Sequence, residues 1–412
     1  MQAFRKWLSE GAKHGKYSGD AVEFKAAGDA KGNGVFIKSD KELKENDLAL
    51  EVPLDLCLYV KFASEEDNQE LNNAGVALPE HVVEHAVVLT LPSMELAMGL
   101  IHEMSKGEAS FYAPYLAVLP RTFETIPLTW SVDELQLISR DINTTIVLAR
   151  INDVCLTYCH LVQSPEMRKF VGTFENFLWA VCVVNSRQNP LPGKAGNVRK
   201  FALVPAFDMC NHDPSGVITT DFSWESKTFL CHAHKTFSAG QEFTIYYGPR
   251  PDLEFLLYSG FVCSPPGVNE NSALILPFFI KGREYPDLAK IKQVLVKDVP
   301  GINPTAEPEF HLLQIGGDIK DRAIRLFARA AACTTREEAQ SALKKKLASE
   351  PGEPIELEEK EKDFIRQTVT AQKHNYLQEL TPAPGCRKEV VRVADELRKS
   401  DAEILDRVLR NL

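Results

Sequence analysis

Paired cysteine motifs, long apolar runs, internal repeats and any excess of positive charge are missing from these 412 residues. The nine cysteines are scattered from Cys57 to Cys386 with no Cys-x-x-Cys spacing. That odd, dispersed set argues against a disulfide framework and reads as reduced thiols. No stretch reaches the roughly 20 apolar residues that cross a bilayer as a helix. Acidic side chains (57) outnumber basic ones (47), for a net charge of −10, and the one lysine run, Lys344 to Lys346, faces acidic residues ending at Glu358 and Glu359. Wrapping of a phosphate backbone is therefore not expected, and neither a nucleic acid nor a membrane is an expected partner. Phe4, Trp7 and Leu8 stand among charges near the start, which suits a short amphipathic helix and lacks the apolar centre of a signal peptide. Leu409 to Leu412 match no lipidation signal, so the expected setting is cytoplasmic, with the nucleus also open.

What is present is an ordinary globular composition, 44% hydrophobic and 25% charged, in a chain long enough for two or three domains. Gly34 to Ile37 and Leu48 to Val52 read as strands flanking a polar turn, so the chain opens as a hairpin-rich sheet. From about 79 to 163 the period becomes helical, with Ser93 as a candidate N-cap. A helix from Phe174 to Arg187, capped by Thr173, is stopped by Pro190. Phe201 to Pro205, Val217 to Trp224, Lys227 to Ala233 and Glu242 to Tyr247 then return as strands. Beyond Pro277 the pattern predicts helices only, including capping boxes at Thr335 to Glu338 and Ser400 to Glu403. The expectation is an α+β chain: residues 1–274 with a helical insertion, then an all-helical domain over 275–412.

The densest polar group is Asp208-Met209-Cys210-Asn211-His212-Asp213, directly after an apolar strand, with Tyr246-Tyr247-Gly248 some 35 residues later. Asp, Asn and His at a strand end beside a Tyr-Gly suit a ligand site, although Asn211 and Asp213 could equally bond their own backbone in a turn before Pro214. Cys210, His212, Cys231, His232 and His234 are metal-ligand types but lack the tight pairing of zinc sites, so no metal is expected. Lys31-Gly32-Asn33-Gly34 precedes a strand and could admit close backbone approach to a ligand or serve only as a hairpin turn. Arg187-Gln188-Asn189 closes a helix, where a cation is favoured by the dipole alone.

Taken in order, the Gly-x-Gly, the helical insertion, the Arg at a helix end, the Asn-His after a strand and the Tyr-Gly resemble the SET-domain methyltransferases of the Rubisco large-subunit methyltransferase group. The resemblance covers nearly the whole chain. Ser186 to Asn189, Ala202 to Pro205, Asp208 to His212, Gly216 to Thr220 and Phe255 to Phe261 are most similar to the actin-histidine-modifying branch of that group. It implies a SET-domain β fold followed by a helical substrate-binding domain. It also implies a pocket for S-adenosyl-L-methionine formed by Lys31, Gly32, Asn33, Arg187, Asp208, Met209, Cys210, Asn211, His212, Tyr247, Ser259, Gly260 and Phe261. Tyr247 and Asn189 would act at the reacting centre, and Asn189, Phe207, Ile245 and Arg250 would hold the protein substrate, actin being the expected partner of a monomeric enzyme. Phe207 stands where that branch has Trp, which makes the pocket wall smaller.

Asn189 bears on the acceptor. Lysine-modifying relatives have Phe there, whereas an amide can hydrogen-bond one imidazole nitrogen and leave the other's lone pair toward the methyl. A lysine methyltransferase on the same fold and a catalytically silent SET-fold binding module are the alternatives. Retention of Arg187, Asn211, His212 and Tyr247 together speaks against silence.

Overall fold

The computed structural model describes all residues except 29–31, 62–67, 70, 72–73, 85–91, 139–141, 193–197, 280–285, 297–309, 317–321, 349–355 and 378–380. They group into two units: Met1–Thr129 with Ala149–Pro249 and Leu257–Gly260, and Trp130–Leu148 with Arg250–Leu256 and Phe261–Leu412. The composition of the chain suggests a single division at 274/275 instead.

In the first unit, alternation of apolar and polar residues builds small sheets. Strand β1 (Val22–Ala26) buries Val22 and Phe24, and β2 (Asn33–Ile37) buries Val35 and Ile37. These two pair as an antiparallel hairpin, with Ala26 opposite Asn33. The hairpin partner of β2 is thus β1, while β3 (Leu48–Pro53) lies in another sheet, against the adjacent-hairpin reading. That sheet runs β3, β8 (Thr228–His232), β7 (Thr220–Ser223). The sheet that positions the site has the order β1, β2, β9 (Glu242–Ile245), β6 (Asn211–His212). β9 is antiparallel to β2 but parallel to β6, pairing Asn211 with Thr244 and His212 with Ile245. A two-stranded ribbon of β4 (Gln188–Pro192) and β5 (Val198–Leu203) completes the strands of this unit.

Within the helical insertion, helix Pro92–Ser105 begins one residue before Ser93, so Ser93 lies in its first turn instead of capping it. Helix Phe174–Arg187 follows the sequence closely. The Thr173 hydroxyl accepts the Asn176 N–H at 3.3 Å, and Phe177, Ala180, Val181 and Val184 are buried. Gln188 turns extended (φ −67°, ψ 141°) ahead of Pro190, and the helix ends with Arg187.

The second unit is mostly helical but not wholly so. β10 (Ala273–Phe279) and β11 (Phe310–Gly316) form an antiparallel ribbon, which corrects the all-helical expectation. Their pairing spans some thirty residues, so no local turn signal announces it. Pro277 is accommodated because a two-stranded ribbon has only edge strands. Leu288, Phe327, Ile365, Val369, Leu405 and Val408 lie in the buried core. The Thr335–Glu338 box forms, with Glu338 N–H donating to Thr335 Oγ1 at 3.2 Å. The Ser400 box does not. Ser400 lies inside the continuous helix Lys388–Arg410, and its buried hydroxyl donates to Asp252 Oδ2 at 2.5 Å.

Glu134 ties two segments of this unit. It completes a capping box with Ser131 and accepts from Arg387 through the backbone N–H (2.9 Å), Nε (2.8 Å) and Nη2 (2.7 Å). These bonds, Arg387's side chain foremost, hold its carboxyl at about 2 instead of 4.5 despite burial. A depressed acid contributes stability that is full above its unfolded pKa and is lost as pH falls from about 4.5 toward 2. Glu134→Gln should therefore cost about 1.5–3 kcal/mol at pH 7. The gap between wild type and variant in denaturant unfolding should shrink through that window. A gap that is the same at pH 7 and pH 3 contradicts the assignment.

Candidate active site

The polar centre of the first unit forms where helix Phe174–Arg187 ends and the short turn Phe207–Met209 begins. Ala206 enters that turn at φ 76°, a left-handed conformation that a non-glycine residue holds only under constraint. In that turn the Asp208 side chain is fully buried. Arg187 Nη1 donates to the Asp208 carbonyl oxygen and lies 3.7 Å from Asp208 Oδ2. Oδ2 also accepts the Tyr115 hydroxyl at 2.5 Å. Burial pushes the Asp208 carboxyl up, and the charge of Arg187 and the Tyr115 bond oppose that rise.

Around this pair, Asn185 Nδ2, Arg187 Nε, Gln188 Oε1 and Asp208 Oδ1 are buried without a hydrogen-bond partner among the described residues. Unsatisfied buried polar atoms cost about 1–3 kcal/mol each, and two of these belong to Arg187 and Asp208, which are in direct contact, so this pair fits a polar ligand. Asn189 Nδ2 donates to the Arg187 carbonyl at 3.1 Å, which fixes the amide and leaves Oδ1 as its acceptor face.

The parallel β6–β9 pairing brings in the second cluster. Asn211 Nδ2 donates to Glu242 Oε1 at 2.5 Å. The same Glu242 oxygen would lie 3.0 Å from a Cβ placed on Gly34, and Ala27 Cβ would lie 2.8 Å from it, so glycine is what allows the β1–β2 hairpin to close against Asn211's partner. Tyr247 hydroxyl donates to the Cys210 carbonyl at 2.6 Å, and Tyr247 N–H donates to His212 Nδ1 at 3.2 Å. The His212 and Tyr247 rings lie 5.1 Å apart. Burial pushes the Tyr247 phenol up, so it stays protonated.

Hydrogen bonds thus link Arg187, Asn189 and Asp208 in one set and Cys210, His212 and Tyr247 in another, with Asn211 beside them on β6. Gly32 and Asn33 lie at the hairpin end of β2, and Lys31 lies outside the described residues. Met209 is buried beside Asp208. Gly260 has φ 77°, and a Cβ there would meet Thr125 Oγ1 at 2.6 Å, so the chain turns after Ser259 only with glycine. Phe207 and Ile245 are 1% and 6% exposed, which makes them core walls before anything else, with Phe207 edge-on to Phe229 at 6.2 Å. Arg250 and Phe261 belong to the second unit, where Phe261 stacks on Phe255.

The sequence did not reveal Tyr115, which sits 93 residues from Asp208, nor Glu242, Asn185 and Gln188. Unpaired buried polarity signals the last two, and burial is a property of the fold that no local pattern carries. His234 lies apart from both sets, 3.6 Å from Asp213 Oδ2, and burial lowers its imidazole pKa. Among the described residues no three His, Cys, Asp or Glu side chains gather as metal ligands.

No protein-family model matches the chain. It is 30% identical over 266 residues to the actin-histidine N-methyltransferases of Homo sapiens and Mus musculus, an alignment covering 62% of this chain and 41% of each relative. The Xenopus tropicalis protein of that name is 31% identical over 238 residues, 55% of this chain and 38% of its own length. The chain therefore spans about two fifths of the length of the curated relatives it matches. Among solved structures, the SET domain of LSMT bound to lysine and AdoHcy superposes with a TM-score of 0.66 at 18% identity, and Rubisco LSMT bound to AdoMet with 0.65 at 19%. Each comparison covers 99% of this chain and 90% of the other. The chain has the SET-domain methyltransferase fold of the Rubisco LSMT type and is a sequence relative of the actin-histidine N-methyltransferases.

Proposed function

We propose that this chain is an S-adenosyl-L-methionine-dependent protein-histidine N-methyltransferase acting on actin. The cofactor part is supported by the donor set: Arg187 offers a guanidinium to a carboxylate, and the Asn211 amide, with its nitrogen committed to Glu242, offers Oδ1 to an ammonium. Bound there, S-adenosyl-L-methionine would supply a methyl group made electrophilic by its sulfonium. The Cys210 carbonyl, fixed by the Tyr247 hydroxyl, supplies an oxygen that favours such a polarised methyl.

The observation that carries the acceptor is the anchored amide of Asn189. Its Oδ1 can accept the N–H of an imidazole and thereby hold the ring in the tautomer whose other nitrogen is a nucleophile. Once that nitrogen is methylated the ring is cationic, and the proton it must lose stays on the ring nitrogen that donates to Asn189 Oδ1 and leaves to water after product release. A histidine near pKa 6.5 is already mostly neutral at pH 7, whereas lysine must give up a proton at roughly 4–5 kcal/mol. The nearby carboxylates are committed, Asp208 to Tyr115 and Arg187, Glu242 to Asn211, so an acceptor that needs no strong base suits the site.

Incubation with labelled S-adenosyl-L-methionine and actin, followed by mass spectrometry, tests the proposal: label on a histidine supports it, while label on lysine installs the lysine reading. Asn211→Ala should weaken cofactor binding roughly ten- to a hundredfold through loss of a charge-assisted bond. His234→Ala, outside the bonded set, should change it little, and equal losses in calorimetry would misplace the pocket. Asn189→Phe should lower transfer to a histidine peptide roughly five- to a hundredfold and raise the relative rate on the matching lysine peptide. With cofactor affinity retained, an equal fall on both peptides removes Asn189 from acceptor choice.

A further inference from the structure

We infer that Tyr115, contributed by the helical insertion, is a positioning residue for the ligand-binding guanidinium of Arg187 and acts through the Asp208 carboxylate. The inference rests on the cofactor role proposed above for Arg187.

Tyr115 is wholly buried. Its ring is held by the first helix, Gln2–Glu10, stacked on Trp7 (6.3 Å, 11°) and tilted against Phe4 (6.2 Å). Phenylalanine would satisfy that packing equally well. What the hydroxyl adds is one bond, at 2.5 Å to Asp208 Oδ2. Asp208 in turn meets Arg187 at two points, the carbonyl oxygen bonded to Nη1 and the carboxylate 3.7 Å away. Asp208 Oδ1 has no hydrogen-bond partner among the described residues, so the hydroxyl and the guanidinium are the side-chain groups that orient this carboxylate, with the backbone N–H of Asp208 itself beside them. A buried carboxylate that loses one of its two side-chain supports either rotates away or takes a proton, and Arg187 then loses the charge that aims it.

The titratable and charged groups that face Asp208 are Arg187, Tyr115, Tyr247, Cys57 and Cys210. Burial raises all three of the phenol and thiol groups Tyr115, Cys57 and Cys210, and Tyr247 with them, so they stay neutral while Asp208 titrates. Loss of the Tyr115 bond removes one of the influences that lower the Asp208 pKa. Ligand binding by Tyr115→Phe should consequently weaken further as pH falls.

The test measures the Kd of S-adenosyl-L-homocysteine by calorimetry for the full chain, Y115F, D208N and the double variant, with folding checked by circular dichroism. Y115F should raise Kd roughly five- to thirtyfold, more at pH 6 than at pH 8, while adding little in the D208N background. A second readout needs no ligand. The Arg187 Nε–H resonance, assigned by its loss in Arg187→Lys, should move in Y115F and stay put when Y115F is added to D208N. Unchanged affinity in folded Y115F, or a penalty that multiplies in the double variant, overturns the inference. If wild type binds no cofactor at all, the proposed function falls, and the resonance alone decides the link between Tyr115 and Arg187.

Discussion

A carboxylate sealed inside the first unit costs several kcal/mol unless charge and hydrogen bonds surround it, and Asp208 is such a group. The arrangement about it follows from that cost. Arg187 is the last residue of its helix, and its guanidinium is the compensating charge. Ala206, two residues before Asp208, holds a positive φ of 76° at the entry to the turn. Tyr115 must come from a segment remote in sequence, because a hydroxyl that donates to the carboxylate completes the satisfaction. The insertion therefore has a part in the polar centre as well as in the core.

A second constraint is imposed by the sheet. The parallel pairing of β6 with β9 brings Asn211 and His212 beside the strand that carries Glu242, and the antiparallel pairing of β2 with β9 brings the glycine hairpin to its other side. Parallel neighbours cannot be joined by a tight turn, so some thirty residues intervene, and these include the β7–β8 hairpin. Asn211 and the hairpin are thus neighbours through one glutamate, and Gly34 is the position at which a side chain would push that glutamate aside.

These relations explain which parts are legible in the sequence. Thr173 and the Thr335–Glu338 box are local signals, and both form as the spacing predicts. The Arg187-to-Asn189 and Asp208-to-His212 segments carry their polarity on contiguous residues, so the two hydrogen-bonded sets of the candidate site are legible in the order of amino acids. The Tyr115–Asp208 bond and the β10–β11 ribbon join segments that no local pattern connects. Ser400 shows the converse. Its box has the right letters, but a helix already running through it made capping impossible, and the hydroxyl found a buried carboxylate instead. Local rules fail where a long-range partner offers more.

The same accounting bears on chemistry. A carboxylate bonded by a phenol and a guanidinium is a poor general base, since taking a proton would forfeit the charge that Arg187 compensates. Glu242 accepts the Asn211 amide through Oε1. Tyr247 is kept a phenol by burial, with its hydroxyl committed to a carbonyl. With the Asp208 carboxylate and the Tyr247 phenol held this way, these two groups orient an acceptor more readily than they deprotonate one. Asn189, polar, uncharged and held by the Arg187 carbonyl, adds orientation without basicity. That combination suits an acceptor whose lone pair is available at neutral pH and whose geometry needs to be fixed, which is the physical ground for the histidine acceptor proposed above.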